Sequence, residues 1–282
     1  FYFSKNISSA INILIESTKK IASGDFSTRI ELNNSELKEL SDNMNYMATE
    51  LENLENLRKD FITNVSHDLR SPLTSIKGFV TALQDGTIAY EDKDKYLQII
   101  LDETDRLSKL TDDIMLLTKM ENNVSELNIT SFELKTVIKK ACSKFERAIL
   151  DKNQNLSLEL FDKEVYVCGD LNKIQRVITN ILDNAIKFTP SGGNIKIETS
   201  IIDEKAYVKI SDTGIGISKD DINHIWHRFH KADKSRGIDK KGTGLGLAIV
   251  HEIIRAHKEN ITVESEIGVG TSFTFSVELA EA

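Results

Sequence analysis

Proline is nearly absent from this sequence. Pro72 and Pro190 are the two in 282 residues, so the first half can hold long helices with one internal break signal. Cysteine is equally scarce. Cys142 and Cys168 stand at no metal-ligand spacing, which excludes a disulfide framework and makes two thiols in a reducing compartment the expectation. No apolar run reaches the roughly 18 residues that a bilayer-spanning helix needs, and no signal peptide is visible. The abrupt opening, Phe1-Tyr2-Phe3, reads as the stub of a membrane helix outside this chain. Positive charge is in deficit: 36 Lys and Arg face 44 Asp and Glu, a net −8. That balance argues against general nucleic-acid binding, which needs a basic surface. Several phosphate-binding signatures are missing too. G-x-G-x-x-G fails because Leu247 stands where the third glycine belongs, and neither a P-loop nor the H-R-D and D-F-G motifs occur.

What is present suits a charge-rich, globular chain of about two domains, with 40% hydrophobic and 28% charged residues. Residues 7–22 carry a stripe at Ile7, Ile11, Leu14, Thr18 and Ile21, with a spacing close to a heptad. Ile13 and Ile15 fall outside it, which implies more than one buried face. Gly24-Asp25 breaks the helix, and Phe26 to Leu32 reads as an extended connector. Ser35 and Glu36 are expected to open a second helix with a stripe at Leu37, Leu40, Met44, Met47, Leu51 and Leu54. That helix runs on through Leu57 into FITNVSHDLRSPLTSIKG, Phe61 to Gly78. There Phe61, Val65 and Leu69 form an apolar face, and His67 falls off it, towards water. Asp68 follows directly. Pro72 is expected to bend or loosen the helix beside the histidine. Taken alone, His67 is a solvated histidine on a coiled-coil helix.

A polar turn spans Gln84 to Asp92, and another long helix runs from about Lys93 to Glu121. Ile100, Leu107, Leu110, Ile114 and Leu117 share one of its faces. Two such antiparallel helices make too thin a core, so pairing of two chains into a four-helix bundle is expected. Glu121-Asn122-Asn123 reads as a linker. From about Asn128 the period changes. Alternating patterns at 155–162, 165–168, 194–201, 206–211 and 261–278 predict strands, and 132–151, 171–188, 220–227 and 245–257 predict helices. The fold class that follows is an α/β sandwich with one sheet covered by helices.

Four motifs in this second part carry chemistry. In NILDNAIK, Asn180, Asn184 and Lys187 stand four and three residues apart and share a helical face. Two amides and an ammonium suit a magnesium-triphosphate, although a solvated helix face has the same composition. DTGIGI follows a strand, and the carboxylate of Asp212 there can accept from an adenine amino group while Gly214 and Gly216 let the backbone approach. GTGLGL (Gly242, Thr243, Gly244, Leu245, Gly246) opens a helix whose donors form a phosphate cradle. GVGTS, with Thr271, lies between two strands. Taken alone, DTGIGI reads more readily as a glycine turn leaving a strand and GVGTS as a plain hairpin turn.

Together the motifs are specific. SHDLRSPL, NILDNAIKFTP, DTGIGI, IWHRFHKAD, GTGLGLAIV and GVGTSF, in this order, resemble the H box, the N box, a first glycine-rich box, the F box and two further glycine-rich boxes of a bacterial sensor histidine kinase of two-component systems. The two helices around ASGDF, with Glu36, are similar to a HAMP relay module, although Ala10 stands near the place of its usual proline. The resemblance implies a HAMP-like relay at 1–52, a dimerisation and phosphoacceptor domain at 53–124, and an ATP-binding catalytic domain at 128–282. The fold would be a helical coiled-coil and four-helix-bundle dimer followed by an α/β sandwich. His67 would be the phosphoacceptor, with Asp68 polarising it and Ser71 orienting a water for dephosphorylation of the partner. Asn184 would ligate Mg2+, Asn180 and Lys187 would flank the phosphates of ATP, and Asp212 would read adenine. Residues 230–243 would form a lid, with Lys231 or Arg236 reaching the phosphates. The implied partners are a second copy of the chain, a response-regulator receiver domain and, through a missing segment, the membrane. The chain would be the cytoplasmic portion of a membrane protein. Trp226 and His227 depart from the F box, which usually has phenylalanine and then glutamate, and Ser71 replaces threonine or asparagine. His224, His227 and His230, three apart, are a weaker candidate for a metal site, since a fourth ligand is lacking. Related ATPases without the His67 segment, and a scaffold that has lost activity, are the rival classes.

Overall fold

The computed structural model describes residues 2–32, 37–121, 127–230 and 242–280. The chain forms two compact units, Phe1–Arg70 and Ser71–Ala282. Among the described residues no helix is long and apolar enough to cross a membrane.

The first unit contains α1 (Tyr2–Ala22), the connector, and the first part of α2 (Lys38–Gln84). Its buried positions are Ala10, Leu14, Ser17 and Ile21 on α1, Ile30 in the connector, and Ser41 and Ala48 on α2. This corrects the expected stripes. Ile11, Leu40, Met47 and Leu54 are exposed in the protomer, and Thr18 returns its hydroxyl to the Leu14 carbonyl at 2.7 Å. A heptad reading weights large apolar side chains; within one chain Leu14 and Ile21 of that stripe are buried, and the other buried helix positions are the small residues Ala10, Ser17, Ser41 and Ala48. The side chain of Ile7, and Ser35 and Glu36, lie outside the described residues. The connector is held by backbone mimicry. Asn45 accepts from the Ile30 amide at 2.7 Å and donates to its carbonyl at 2.9 Å, and Ser41 Oγ donates to the same carbonyl at 2.8 Å. A buried connector needs such partners for its peptide groups.

α2 runs as one helix across Pro72, which is buried. The proline removes one backbone hydrogen bond without ending the helix, and the boundary between the two units falls just before it.

The second unit continues from Ser71 through a turn with a short 3-10 helix at Tyr90–Asp92 into α3 (Lys93–Glu121). Phe79 and Tyr96 pack across this turn with ring centroids 5.3 Å apart. Leu110 and Leu117 of the expected α3 face are fully buried, and Asp113 and Met120 join them.

The sheet that follows has seven strands: β1 (Thr130–Glu133), β2 (Asn155–Glu159), β3 (Tyr166–Gly169), β4 (Asn194–Ile202), β5 (Lys205–Asp212), β6 (Ile261–Glu266) and β7 (Gly270–Leu279). Their order is β1-β3-β7-β5-β4-β2, with β6 also on β7. All pairs are antiparallel except β2–β4. The helices are α4 (Leu134–Ser143), α5 (Glu146–Asp151), α6 (Leu171–Phe188), α7 (Lys219–Ile222) and α8 (Gly246–Ala256). Alternate residues of the central strands, Ile195 and Ile197, Ala206, Val208 and Ile210, Phe273, Phe275 and Val277, are buried with the apolar faces of α6 and α8. This period of two against a helical stripe forms the core.

Two expectations need correction. The helix expected over 132–151 begins as an edge strand, β1, and then divides at Lys144-Phe145 into α4 and α5. A four-residue strand shows no readable alternation, and its pairing to β3 is a long-range event. The pattern at 261–278 forms two strands joined by a turn at Gly268, as the GVGTS motif implied. The helix expected over 220–227 stops at Ile222. Beyond it the amides of His224, His227 and His230 bond three residues back, at 2.8, 2.9 and 3.3 Å, a three-residue repeat that eclipses side chains.

Candidate functional site

α6 organises the site. Asp170 caps it by accepting from the Lys173 amide at 3.1 Å. Ile174, Val177, Ile178, Ile181, Leu182 and Ala185 bury one face, which leaves Asn180, Asp183, Asn184 and Lys187 on the other. Its C-terminal carbonyls are closed from a distance. Lys152 Nζ donates to Ile186 and Lys187 oxygens at 2.7 and 2.9 Å, and Gln154 Nε2 to Ile186 and Thr189 at 3.0 and 2.7 Å. Neither residue carries a local signal, since each lies more than 30 positions upstream of its partner in sequence.

A cavity of about 390 Å³ opens beside this face. Of the residues singled out in the sequence, Asn180, Asn184, Lys187, Asp212, Gly216, Gly242, Thr243, Gly244, Gly246 and Thr271 line it. Motifs up to 91 positions apart in the chain, Asn180 to Thr271, thus meet at one place. Gly214 and Leu245 do not line it but build its walls. The Gly214 amide donates to Asp212 Oδ1 at 2.8 Å, and buried Leu245 starts α8, its amide 3.3 Å from Thr243 Oγ1. Asn180 Nδ2 donates to the Gly246 carbonyl at 3.1 Å and so ties α6 to α8. Lys231 and Arg236, with most of the expected lid, lie outside the described residues.

Asp212 ends β5 opposite Thr271 of β7. Burial pushes its carboxyl up to about 6, against the pull of hydrogen bonds from the Gly214 and Thr271 amides. Two glycines make this corner possible. Gly216 has φ +70°, and a Cβ there would lie 2.0 Å from the Glu266 carbonyl; at Gly270, φ +143°, it would lie 1.9 Å from the Asp212 carbonyl. The loop is fastened to the β6–β7 turn by Gly268 to Ile215 at 2.9 Å and by Ile217 to Ser265 Oγ at 2.8 Å.

Sequence reasoning missed the α3 wall of the cavity. Arg106, Lys109 and Asp113 line it, and only the packing of α3 against α8 and α6 puts them there. Asp183 was also missed as a lining residue, although it shares the helical face of Asn180 and Lys187. Its carboxylate holds Lys187 Nζ at 2.8 Å. Asp221 and His230 line the opposite rim, His230 Nε2 lying 3.6 Å from Asp221 Oδ1. The imidazole of His224 is 5.2 Å from that of His227 and 5.9 Å from that of His230. Among the described residues, however, no group of three His, Cys, Asp or Glu is arranged to hold a metal ion.

His67 and Asp68 belong to the first unit. The His67 side chain is 81% exposed and that of Asp68 is 19% exposed, with Nδ1 3.3 Å from Asp68 Oδ1. The ring can therefore keep one nitrogen on the carboxylate and present the other to solvent. Ser71 is exposed on the same helix, at the start of the second unit, and does not line the cavity.

Comparison with known proteins agrees along the chain. Residues 2–53 match the HAMP domain, 57–123 the His Kinase A (phospho-acceptor) domain, and 169–281 the histidine kinase-, DNA gyrase B- and HSP90-like ATPase. The sensor histidine kinase WalK of Bacillus subtilis (strain 168) is 35% identical over 243 residues, 84% of this chain and 39% of that protein. YclK of the same strain is 35% identical over 278 residues, 95% of this chain and 58% of that protein. The chain thus spans 39% and 58% of the length of these two relatives. Among solved structures, Acinetobacter baumannii histidine kinase AdeS is similar with 28% identity and a TM-score of 0.63, over 76% of this chain and 98% of that one. Histidine kinase ThkA, in complex with response regulator protein TrrA, is similar with 25% identity and a TM-score of 0.61, over 87% and 67%. With its three domain types in this order and a glycine-walled cavity in the third, the chain belongs to the sensor histidine kinases of two-component systems.

Proposed function

We propose that this chain autophosphorylates His67 from Mg-ATP and passes the phosphoryl group to an aspartate of a separate response regulator, with some phosphatase activity. The observation that carries the reading is the meeting of Asn180, Asn184, Lys187, Asp212 and the three glycine motifs around one cavity. Asp212 accepts from the adenine amino group. The 242–246 turn offers backbone amides to the phosphates at the start of α8, where the helix end is positive. Lys187 neutralises phosphate charge, and Lys231 or Arg236 of the 230–243 lid adds to it. The donor set fits Mg2+: Asn184 presents a hard amide oxygen to the cavity, and Asn180, whose Nδ2 is engaged by Gly246, keeps its own oxygen for ligation. Bound there, the ion would offset phosphate charge and orient the triphosphate.

At His67, Asp68 holds one ring nitrogen so that the other keeps its lone pair for attack on the γ-phosphorus. The bond to the ADP oxygen breaks as the N–P bond forms, so positioning and charge neutralisation supply most of the catalysis. Ser71, one turn along α2, orients water when the regulator is dephosphorylated. Residues 1–52 serve as relay, 53–124 as dimerisation and phosphoacceptor domain, and 128–282 as catalytic domain. Dimerisation is supported by Leu73, Leu97, Leu101 and Met115, apolar yet exposed in the protomer. The HAMP match and the sensor relatives support a cytoplasmic portion anchored in the membrane by a segment outside this chain. The test is His67→Gln with γ-labelled ATP: nucleotide binding should persist and acid-labile labelling disappear. Full labelling of that variant would refute the assignment.

A further inference from the structure

The cavity has four basic side chains among its described lining residues, and two of them, Arg106 and Lys109, come from α3. They stand three residues apart and so share one side of that helix. Asp113, one turn beyond Lys109, points the same way. It is buried and forms an ion pair with Arg176 of α6. A buried carboxylate is tolerated only when paired, so this contact sets how α3 sits on α6. Burial raises the Asp113 carboxyl above the usual range while Arg176 opposes the rise, which agrees with a buried carboxylate met by a half-buried guanidinium. One turn away, Lys109 Nζ lies 4.0 Å from the Asp183 oxygen that also holds Lys187. Lys109 thus approaches the same carboxylate as the lysine assigned to the phosphates. Arg106, with Glu103 3.3 Å away, faces the cavity beside it. Two cations at one carboxylate, with a third beside them on the lining of the same cavity, fit an anion carrying several charges better than they fit the base or the sugar.

Resting on the nucleotide reading above, we propose that Arg106 and Lys109 are ligands of the nucleotide's terminal phosphates, donated by α3, with Asp113–Arg176 as the positioning pair that holds them there. Occupancy of the phosphate end and docking of α3 are then linked, each favouring the other by the same factor.

The experiment titrates the full chain, in Mg2+, with the non-hydrolysable β,γ-imido analogue of ATP, with ADP and with AMP. In the double variant Arg106→Gln, Lys109→Gln the triphosphate analogue should bind about tenfold or more weakly, the scale of a lost charge-assisted hydrogen bond. AMP should bind as in the parent, and Arg106→Lys with Lys109→Arg should keep most of the affinity. Asp113→Asn separates two roles by sign. Loss of a mere negative charge beside an anion site would tighten the triphosphate, whereas loss of the anchor should weaken it. Triphosphate affinity within about twofold of the parent, an equal loss for AMP, or tighter binding by Asp113→Asn would overturn the proposal. A parent chain that bound none of the nucleotides would instead overturn the site assignment itself.

Discussion

Replacing Asp212 by asparagine should make the protein more stable and less able to bind ATP. The carboxyl is raised from 3.8 to about 6 chiefly by burial, so at neutral pH the folded protein carries an ionised group that it disfavours. At about 1.36 kcal/mol per pKa unit, that rise corresponds to a ceiling of roughly 3 kcal/mol. Asparagine cannot accept as fully as a carboxylate from the Gly214 and Thr271 amides, which leaves a net gain of about 1–2 kcal/mol. The sign follows from proton binding. Above about pH 6 the aspartate is ionised in both states and its full cost is felt. As pH falls from there towards 3.8, the folded protein binds a proton that the unfolded chain does not, and the cost fades. The variant's advantage should therefore be greatest above pH 7 and smaller by about 1.4 kcal/mol at pH 5, where little of it remains. Urea unfolding of both proteins, followed by circular dichroism from pH 5 to 8, measures the difference and cancels the other titrating groups. Nucleotide titration should show a loss of at least about tenfold in the same variant, because an amide N–H₂ meets the adenine amino group as donor against donor. A variant less stable than the parent at pH 7.5, or an advantage that ignores pH, would refute the reasoning.

Asn184→Ala should abolish magnesium-dependent nucleotide binding while the circular dichroism spectrum is unchanged; unaltered ATP affinity would mean the cavity has been misassigned. Gly270→Ala places a methyl 1.9 Å from the Asp212 carbonyl at φ +143°, and should cost roughly 2–4 kcal/mol and weaken ATP binding together. A variant as stable as the parent would show that the corner is not tightly packed. Ser71→Thr should raise, and Ser71→Ala lower, the decay of phosphorylated regulator in the presence of ADP, with labelling of His67 little changed. The threonine methyl restricts the hydroxyl's rotamers where serine leaves them free, and equal decay in all three proteins would remove Ser71 from the reaction.

Local patterns determined much of this protein. The 3-4 spacing of Asn180, Asn184 and Lys187 places them on one face of a helix whatever surrounds it, and the run of apolar residues between them assigns the opposite face to the core. Gly214 and Gly216 of DTGIGI and Gly270 of GVGTS mark corners where a Cβ has no room, and the scarcity of proline permits α2 and α3 their length. Period-two alternation located six of the seven strands, all but β1, because side chains of a strand must alternate between faces. The tertiary structure decided what depends on distant partners. β1 exists only because β3 offers it an antiparallel edge, and α6 keeps its last turn because Lys152 and Gln154 reach across to its carbonyls. In the first unit, Ser41 and Asn45 face the connector where the stripe leads one to expect larger apolar residues, since the connector's Ile30 peptide groups required hydrogen bonds there. The α3 wall of the cavity belongs to the same class. Arg106, Lys109 and Asp113 look like an ordinary solvated helix face until Arg176, 63 positions later, draws that face inward, because a charge's role is set by what it approaches in space.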